Sequence, residues 1–141
     1  MINVTIEKEI NAPADTIWNT ISDFTIPAAP SFSVDVVKNG DSENNGVGTL
    51  RNITVRKNRF LEHLADVDPS NRTLVYEILS NIAFKKYTGT IAIIPQSDIS
   101  QIKWTANFTP RIFGTGWLMK KPVRRTINYI IDEINKAFTS Q

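Results

Sequence analysis

A single apolar stripe near the end of the chain sets the terms for everything before it. Over residues 111–138, Met119, Val123, Ile127, Ile130, Ile131, Ile134 and Phe138 recur at spacings of three and four, which marks one buried face of a helix. Lys120, Lys121, Arg124, Arg125, Asp132, Glu133 and Lys136 fall between them and read as the solvated side. A helix of about 25 residues is roughly 37 Å long, longer than most in globular domains, and it requires an apolar surface of matching length. Pro122 interrupts the pattern, because inside a helix proline removes one hydrogen bond and crowds the preceding turn, at about 3 kcal/mol. A kink is expected there, or a break that leaves Gly114-Thr115-Gly116 as a separate lead-in.

The chain before the stripe reads as short strands. Val4, Ile6 and Ile10 alternate with Thr5, Glu7 and Glu9, with Lys8 breaking the dry face. Asn11-Ala12-Pro13 stops that strand and suits a helix start, with Asp15 favourable near the positive end. Ile17, Trp18, Ile21 and Phe24 make a short amphipathic helix, and Pro27 and Pro30 bound a second, shorter helical turn. A strand over 33–37 ends in the polar loop 39–46. Strands follow over 47–55, 60–67, 74–79 and 87–94, with a basic turn at 56–59, turn chemistry at 68–71, and a loop at 80–85 that holds Ile82 and Phe84. Ile102, Trp104, Ala106 and Phe108 then alternate cleanly with Lys103, Thr105, Asn107 and Thr109. Such alternation belongs to a sheet covered on one face only, not to a parallel sheet buried on both. A curved antiparallel sheet of about six to seven strands, wrapped around one long C-terminal helix with two short helices after the first strand, satisfies both patterns: an α+β fold.

At 141 residues, 41% of them hydrophobic, the chain can bury roughly two-thirds of its unfolded surface around one core, so residues 1–141 are expected to form one domain. No apolar run reaches the roughly 18 residues of a membrane span, and the first residues lack a basic and then apolar leader. The absence of cysteine excludes disulfide and thiolate chemistry and suits a cytoplasmic location. Sixteen basic against fourteen acidic side chains give a formal charge of +2, too small to indicate nucleic acid.

The residues sharpen the fold. Ile10-Asn11-Ala12-Pro13-Ala14-Asp15-Thr16-Ile17-Trp18 with Asp23-Phe24, then Gly48-Thr49-Leu50-Arg51, Phe60-Leu61-Glu62-His63-Leu64 to Asp68, Tyr76, Tyr87-Thr88-Gly89, and Trp104 to Pro110 resemble, in order and across essentially the whole chain, the SRPBCC superfamily. These are the START-like and birch-pollen-allergen-like proteins, including the polyketide cyclase/dehydrase-like group. The resemblance implies a helix-grip fold with a hydrophobic cavity between sheet and C-terminal helix, used across the family for lipids, hormones, quinones or polyketide intermediates. It implies no single activity.

By that resemblance Ile53, Ile78, Ile91, Trp104, Phe108, Met119, Val123 and Ile127 supply the apolar wall. Arg51 shares strand parity with Ile53 and Val55, and Glu62 with Phe60 and Leu64. If Val55 pairs near Phe60, Ile53 faces Glu62 and Arg51 is its diagonal neighbour. A buried carboxylate is costly unless paired, so Arg51 and Glu62 form either a polar anchor for a ligand hydroxyl or carboxylate, or a purely structural pair. The family match places Glu62 inward and therefore His63 outward, although Leu61, Ala65 and Val67 side with His63 by alternation. Tyr76 and Tyr87 share the inner side and serve as packing residues, ligand donors or general acids. Ile82 and Phe84 are expected as a gate over the cavity.

His63 is the only histidine, and no cluster has metal-ligand spacing, so neither a metal nor another cofactor is expected. Lys120-Lys121-Pro122-Val123-Arg124-Arg125 reads first as a solvated helix face; attraction to anionic lipid or RNA phosphate is the alternative. Three functional classes remain. The preferred one is binding of a hydrophobic or amphipathic small molecule. The second is a polyketide cyclase/dehydrase-like enzyme using Arg51 and a cavity tyrosine. The third is a protein-interaction module, which would show too small a cavity and an exposed apolar patch.

Overall fold

In a computed structural model that describes residues 1–79 and 83–139, seven antiparallel strands form one sheet. They are β1 (Ile2–Ile10), β2 (Phe32–Lys38), β3 (Leu50–Val55), β4 (Asn58–Asp68), β5 (Thr73–Ile78), β6 (Phe84–Gln96) and β7 (Ile99–Pro110). Their spatial order is β1-β7-β6-β5-β4-β3-β2, so β1 and β2 are the two edges. Helix α1 (Ala14–Ile21) follows β1, and α2 (Gly116–Thr139) ends the described chain. This is the helix-grip arrangement expected from the pattern, with one correction. The second short helical turn between Phe24 and Pro30 is absent; residues 22–31 run through turns and bends. Prolines at 27 and 30 deny that segment a continuous set of N–H donors.

The sheet curves because three pairings slip. Register shifts lie between Val36 and Lys38, between Leu64 and Asp66, and between Phe84 and Lys86, and each bulge bends and twists its strand. The second also explains the mixed alternation in β4. Glu62 and Leu64 face inward, the extra residue at Ala65 reverses the parity, and Val67 is therefore buried as well. The third places Phe84 and Tyr87, three residues apart, on one face.

Helix α2 crosses the concave face against β1 and β7. Val123, Ile127, Ile131 and Ile134 form its buried stripe, and Lys8, at a position that otherwise faces inward, reaches Asp132 on the helix at 3.0 Å. The helix is continuous through Pro122, so the break that would have left Gly114-Thr115-Gly116 as a lead-in does not occur; Gly116 is the first residue of α2, and residues 111–115 before it run through bends and a turn. Gly116 lets the helix start close to β1, since a Cβ there would meet the Ile2 side chain at 2.5 Å and force it to shift. No described helix is long and apolar enough to cross a membrane.

Candidate ligand-binding cavity

Hairpin geometry decides the polar centre of the concave face. Arg56 adopts φ 57° and closes a turn of only Arg56 and Lys57, so Val55 pairs with Asn58, Ile53 with Phe60, and Arg51 directly with Glu62. The diagonal arrangement expected from the sequence is thus replaced by a tighter, cross-strand one. Arg51 donates from Nε to Glu62 Oε1 at 3.0 Å, and its Nη2 lies 2.9 Å from the same oxygen. Each side chain retains only 11% exposure. The third nitrogen, Nη1, reaches the Phe24 carbonyl at 3.5 Å, and the guanidinium carbon sits 3.7 Å from the centre of the Phe24 ring. Arg51 is therefore held on two sides. Both of its contacts to Glu62 fall on Oε1, and Oε2 accepts no hydrogen bond from the described residues.

Glu62 points inward and His63 lies on the opposite face, where its Nδ1 is 3.0 Å from Glu77 Oε1. Across β4 and β5 Leu64 pairs with Tyr76, which makes Tyr76 the diagonal neighbour of Glu62 on the inner face. The Trp104 indole donates to the Tyr76 hydroxyl at 3.1 Å, and the Tyr76 and Tyr87 hydroxyls are 3.4 Å apart. Burial pushes the Tyr76 phenol well above its usual range, reinforced by Tyr87 and the Glu62 charge. Burial likewise pushes Tyr87 up to about 12. Both hydroxyls keep their protons at neutral pH. Only one of the two hydrogens can lie between the oxygens, and the Trp104 contact needs neither, so one phenolic donor remains to turn elsewhere.

Around these groups lies a cavity of about 320 Å³. Arg51, Ile53, Glu62, Tyr76, Ile78, Tyr87, Ile91 and Trp104 line it from the sheet, and Met119, Val123 and Ile127 from α2. Phe108 does not line it: this ring is fully buried behind the wall, stacked on Tyr87 at 6.2 Å and tilted on Phe84 at 5.1 Å. Phe84 is the first residue of β6 and part of the wall, not of a loop. Ile82, its expected companion in a gate, lies outside the described residues.

The sequence reading missed Phe24, Ile26, Ala28 and Phe32, which close the β2 side of the cavity. Irregular backbone carries no period from which to read a facing direction. Val55 and Phe60, also lining, share parity with Arg51 and Glu62 and were within reach of that argument. At the rim, Arg56 from the hairpin turn stacks its guanidinium carbon 3.7 Å from the centre of the Tyr129 ring on α2. Among the described residues no group of His, Asp and Glu could hold a metal ion. The charged run Lys120, Lys121, Arg124 and Arg125 faces away from the cavity and is exposed.

Comparison with known proteins agrees with this geometry. Residues 1–139 match the family model described as "Polyketide cyclase / dehydrase and lipid transport". MLP-like protein 423 of Arabidopsis thaliana is 26% identical over 113 residues, covering 73% of each chain. A START superfamily protein from Mycobacterium smegmatis superposes with a TM-score of 0.78 at 14% identity, over 99% of both chains. Norcoclaurine synthase from Thalictrum flavum, in complex with dopamine and hydroxybenzaldehyde, gives 0.71 at 19% identity, over 99% of this chain and 87% of that one. At such identities the structural likenesses establish the fold alone; it is the family model, matched over residues 1–139, that supports the SRPBCC resemblance drawn from the sequence.

Proposed function

The chain belongs to the polyketide cyclase/dehydrase and lipid transport family, and from that premise we propose that it binds a neutral amphipathic small molecule in the cavity between sheet and α2. The observation that carries this reading is the wall itself, mostly apolar, with one buried ion pair, two protonated phenols and the side chains of Thr20, Asn58 and Thr126 as its polar groups. A volume of about 320 Å³ falls at the lower end of the roughly 300–1,000 Å³ of small-molecule sites. Arg51 is already neutralised by Glu62, so a ligand carboxylate would have to displace that partner. A hydroxyl fits without displacement: it donates to Glu62 Oε2 and accepts from the remaining phenolic hydrogen. Norcoclaurine synthase, which shares the fold, is solved with two small molecules, dopamine and hydroxybenzaldehyde.

The cyclase-like alternative asks Arg51 to bind an enolate oxygen and Tyr76 or Tyr87 to move a proton. Nε and Nη2 of Arg51 contact Glu62 and Nη1 reaches the Phe24 carbonyl, so its charge is already neutralised and only the second hydrogens of the two Nη groups remain for an enolate oxygen. A phenol at about 12 is also poorly matched to acid catalysis near neutral pH. Both facts favour binding over turnover.

Native mass spectrometry of freshly purified protein tests the reading. A co-purifying low-mass species, released on denaturation and carrying a hydroxyl on an apolar body, is the expected result. Failure of apolar probes and of lipid extracts to bind would overturn it. Gene context offers a second test, since an adjacent polyketide synthase would favour the enzyme.

A further inference from the structure

The end of α2 that carries Met119 is apolar on its outside too. Ile112 is 70% exposed, Trp117 69% and Leu118 53%, and Phe113 is wholly exposed. Two of these lie in the lead-in to α2 and two on its first turn. The other tryptophans, Trp18 and Trp104, are buried, so Trp117 is outside by placement rather than for want of room in a core. Beside this cluster stand Lys120, Lys121, Arg124 and Arg125, all exposed and without an ion-pair partner among the described residues; Arg124 Nη1 reaches the Thr5 carbonyl at 3.3 Å. No acidic residue occurs between Asp98 and Asp132. An apolar wedge with an aromatic at its edge, flanked by cations in a stretch of chain without carboxylates, has the composition of a surface that enters a lipid headgroup layer.

We propose that this face docks the protein onto an anionic membrane surface, with Phe113, Trp117 and Leu118 entering the headgroup region and Lys120, Lys121 and Arg125 meeting lipid phosphates. Charge decides between occupants. A second copy docking through the same patch would bring two cationic clusters face to face in a twofold contact. An RNA would satisfy the cations and stack bases on Phe113 and Trp117, but it would leave Ile112 and Leu118 unburied. An anionic bilayer satisfies both halves at once. Docking would also place the cavity wall beside the bilayer, because Met119 and Pro122, in the next turn of the helix, line the cavity. The proposal concerns the outer face and stands whatever the cavity holds.

Co-sedimentation of the full chain with large unilamellar vesicles tests it. Vesicles of phosphatidylcholine with phosphatidylserine should bind at least roughly tenfold more tightly than phosphatidylcholine alone, and added salt should weaken the binding. Trp117 should shift its emission to the blue on binding, and the shift should disappear in Trp117→Phe, which separates it from any change at Trp104 on the cavity wall. Phe113→Ser with Leu118→Ser should abolish sedimentation while leaving Trp117 as reporter. Lys120→Glu with Lys121→Glu, an independent pair at exposed sites, should remove the preference for phosphatidylserine. No binding of the wild type to either vesicle overturns the proposal, as does unchanged binding by both variants. A concentration-dependent dimer dissolved by Phe113→Ser would assign the patch to a second copy and overturn it too.

Discussion

Replacing Glu62 by leucine isolates the ion pair on which the cavity's polarity rests. The substitution leaves the Arg51 charge with one long hydrogen bond to the Phe24 carbonyl and the face of the Phe24 ring. Breaking a fully buried pair from one side costs about 3–5 kcal/mol. With 11% exposure on each side chain, some water reaches the orphaned charge, and a loss of about 2–4 kcal/mol is expected. Replacing both partners, Arg51→Met with Glu62→Leu, removes the uncompensated charge and should fall within about 1 kcal/mol of the wild type. Arg51→Met alone orphans the Glu62 carboxylate and should cost about as much as Glu62→Leu, so the singles and the double should not add, and the coupling should be at least about 3 kcal/mol. Urea denaturation followed by circular dichroism reads this directly: at a slope of about 2 kcal/mol/M, Glu62→Leu lowers the midpoint by roughly 1–2 M. If single and double effects add to within about 0.5 kcal/mol, the two side chains are not acting as a desolvated pair and the reasoning fails. The stable double variant then serves native mass spectrometry, where loss of any co-purifying species separates anchoring from folding.

Other parts of the site make distinct demands. Because Tyr87 keeps its proton up to about 12 in the folded chain but to about 10 when unfolded, the unfolded state releases protons first as pH rises. Its contribution is intact below about pH 10 and lost between about 10 and 12, a loss of order 2–3 kcal/mol; Tyr87→Phe should shallow the alkaline fall in denaturation midpoint. Gly89 faces Tyr76 across β5 and β6, and a Cβ there would fall onto the Tyr76 ring. Gly89→Ala should cost upwards of about 2 kcal/mol and alter the near-ultraviolet dichroism of Trp104, whose indole donates to that hydroxyl. Pro122 denies the Leu118 carbonyl its helical donor, so Pro122→Ala should stabilise α2 by about 1–3 kcal/mol, visible as a higher Tm.

How far the sequence reaches depends on whether one period governs a segment. In β7 a strict alternation from Ile102 to Phe108 put every side chain on its observed face. In β4 the same rule returned two contradictory answers, because the bulge at Ala65 lets Leu64 and Val67 both be buried; parity cannot announce its own reversal. Arg51 and Glu62 shared a face by parity, but their direct pairing depended on a two-residue turn with Arg56 in the left-handed region. Asn or Gly would have signalled that turn, and neither is present. Phe108 was buried as alternation requires, yet alternation separates inside from outside and not cavity wall from the layer behind it. Phe24, which clamps Arg51, was expected on the helix with Ile17 and Ile21, but α1 ends at Ile21 and Phe24 lies in the irregular chain beyond it, where the helical period no longer gives its direction. Trp117 and Leu118 fell off the stripe through Met119 and Val123, and only the fold shows that nothing covers them.

Residues 22–31 give the cavity walls of two different stiffnesses. On the sheet side, moving Arg51, Glu62 or Tyr76 means breaking ladder hydrogen bonds cooperatively. On the β2 side no strand closes the gap, because β2 is an edge. Phe24 is anchored by Arg51, through its carbonyl at 3.5 Å and its ring, whereas Ile26 and Ala28 beyond it hang on a few local ties: Asp23 to Thr25 at 2.6 Å, Ala29 to Phe32 at 3.1 Å, and Ser31 to Glu133 on α2 at 2.9 Å. Segments held this way open at a small fraction of the global unfolding free energy. For an amphipathic guest the tolerances therefore differ along its length. The polar head must match a frame that does not give, whereas the tail meets a hinged panel that can move outward by a side chain's width while every strand stays in register.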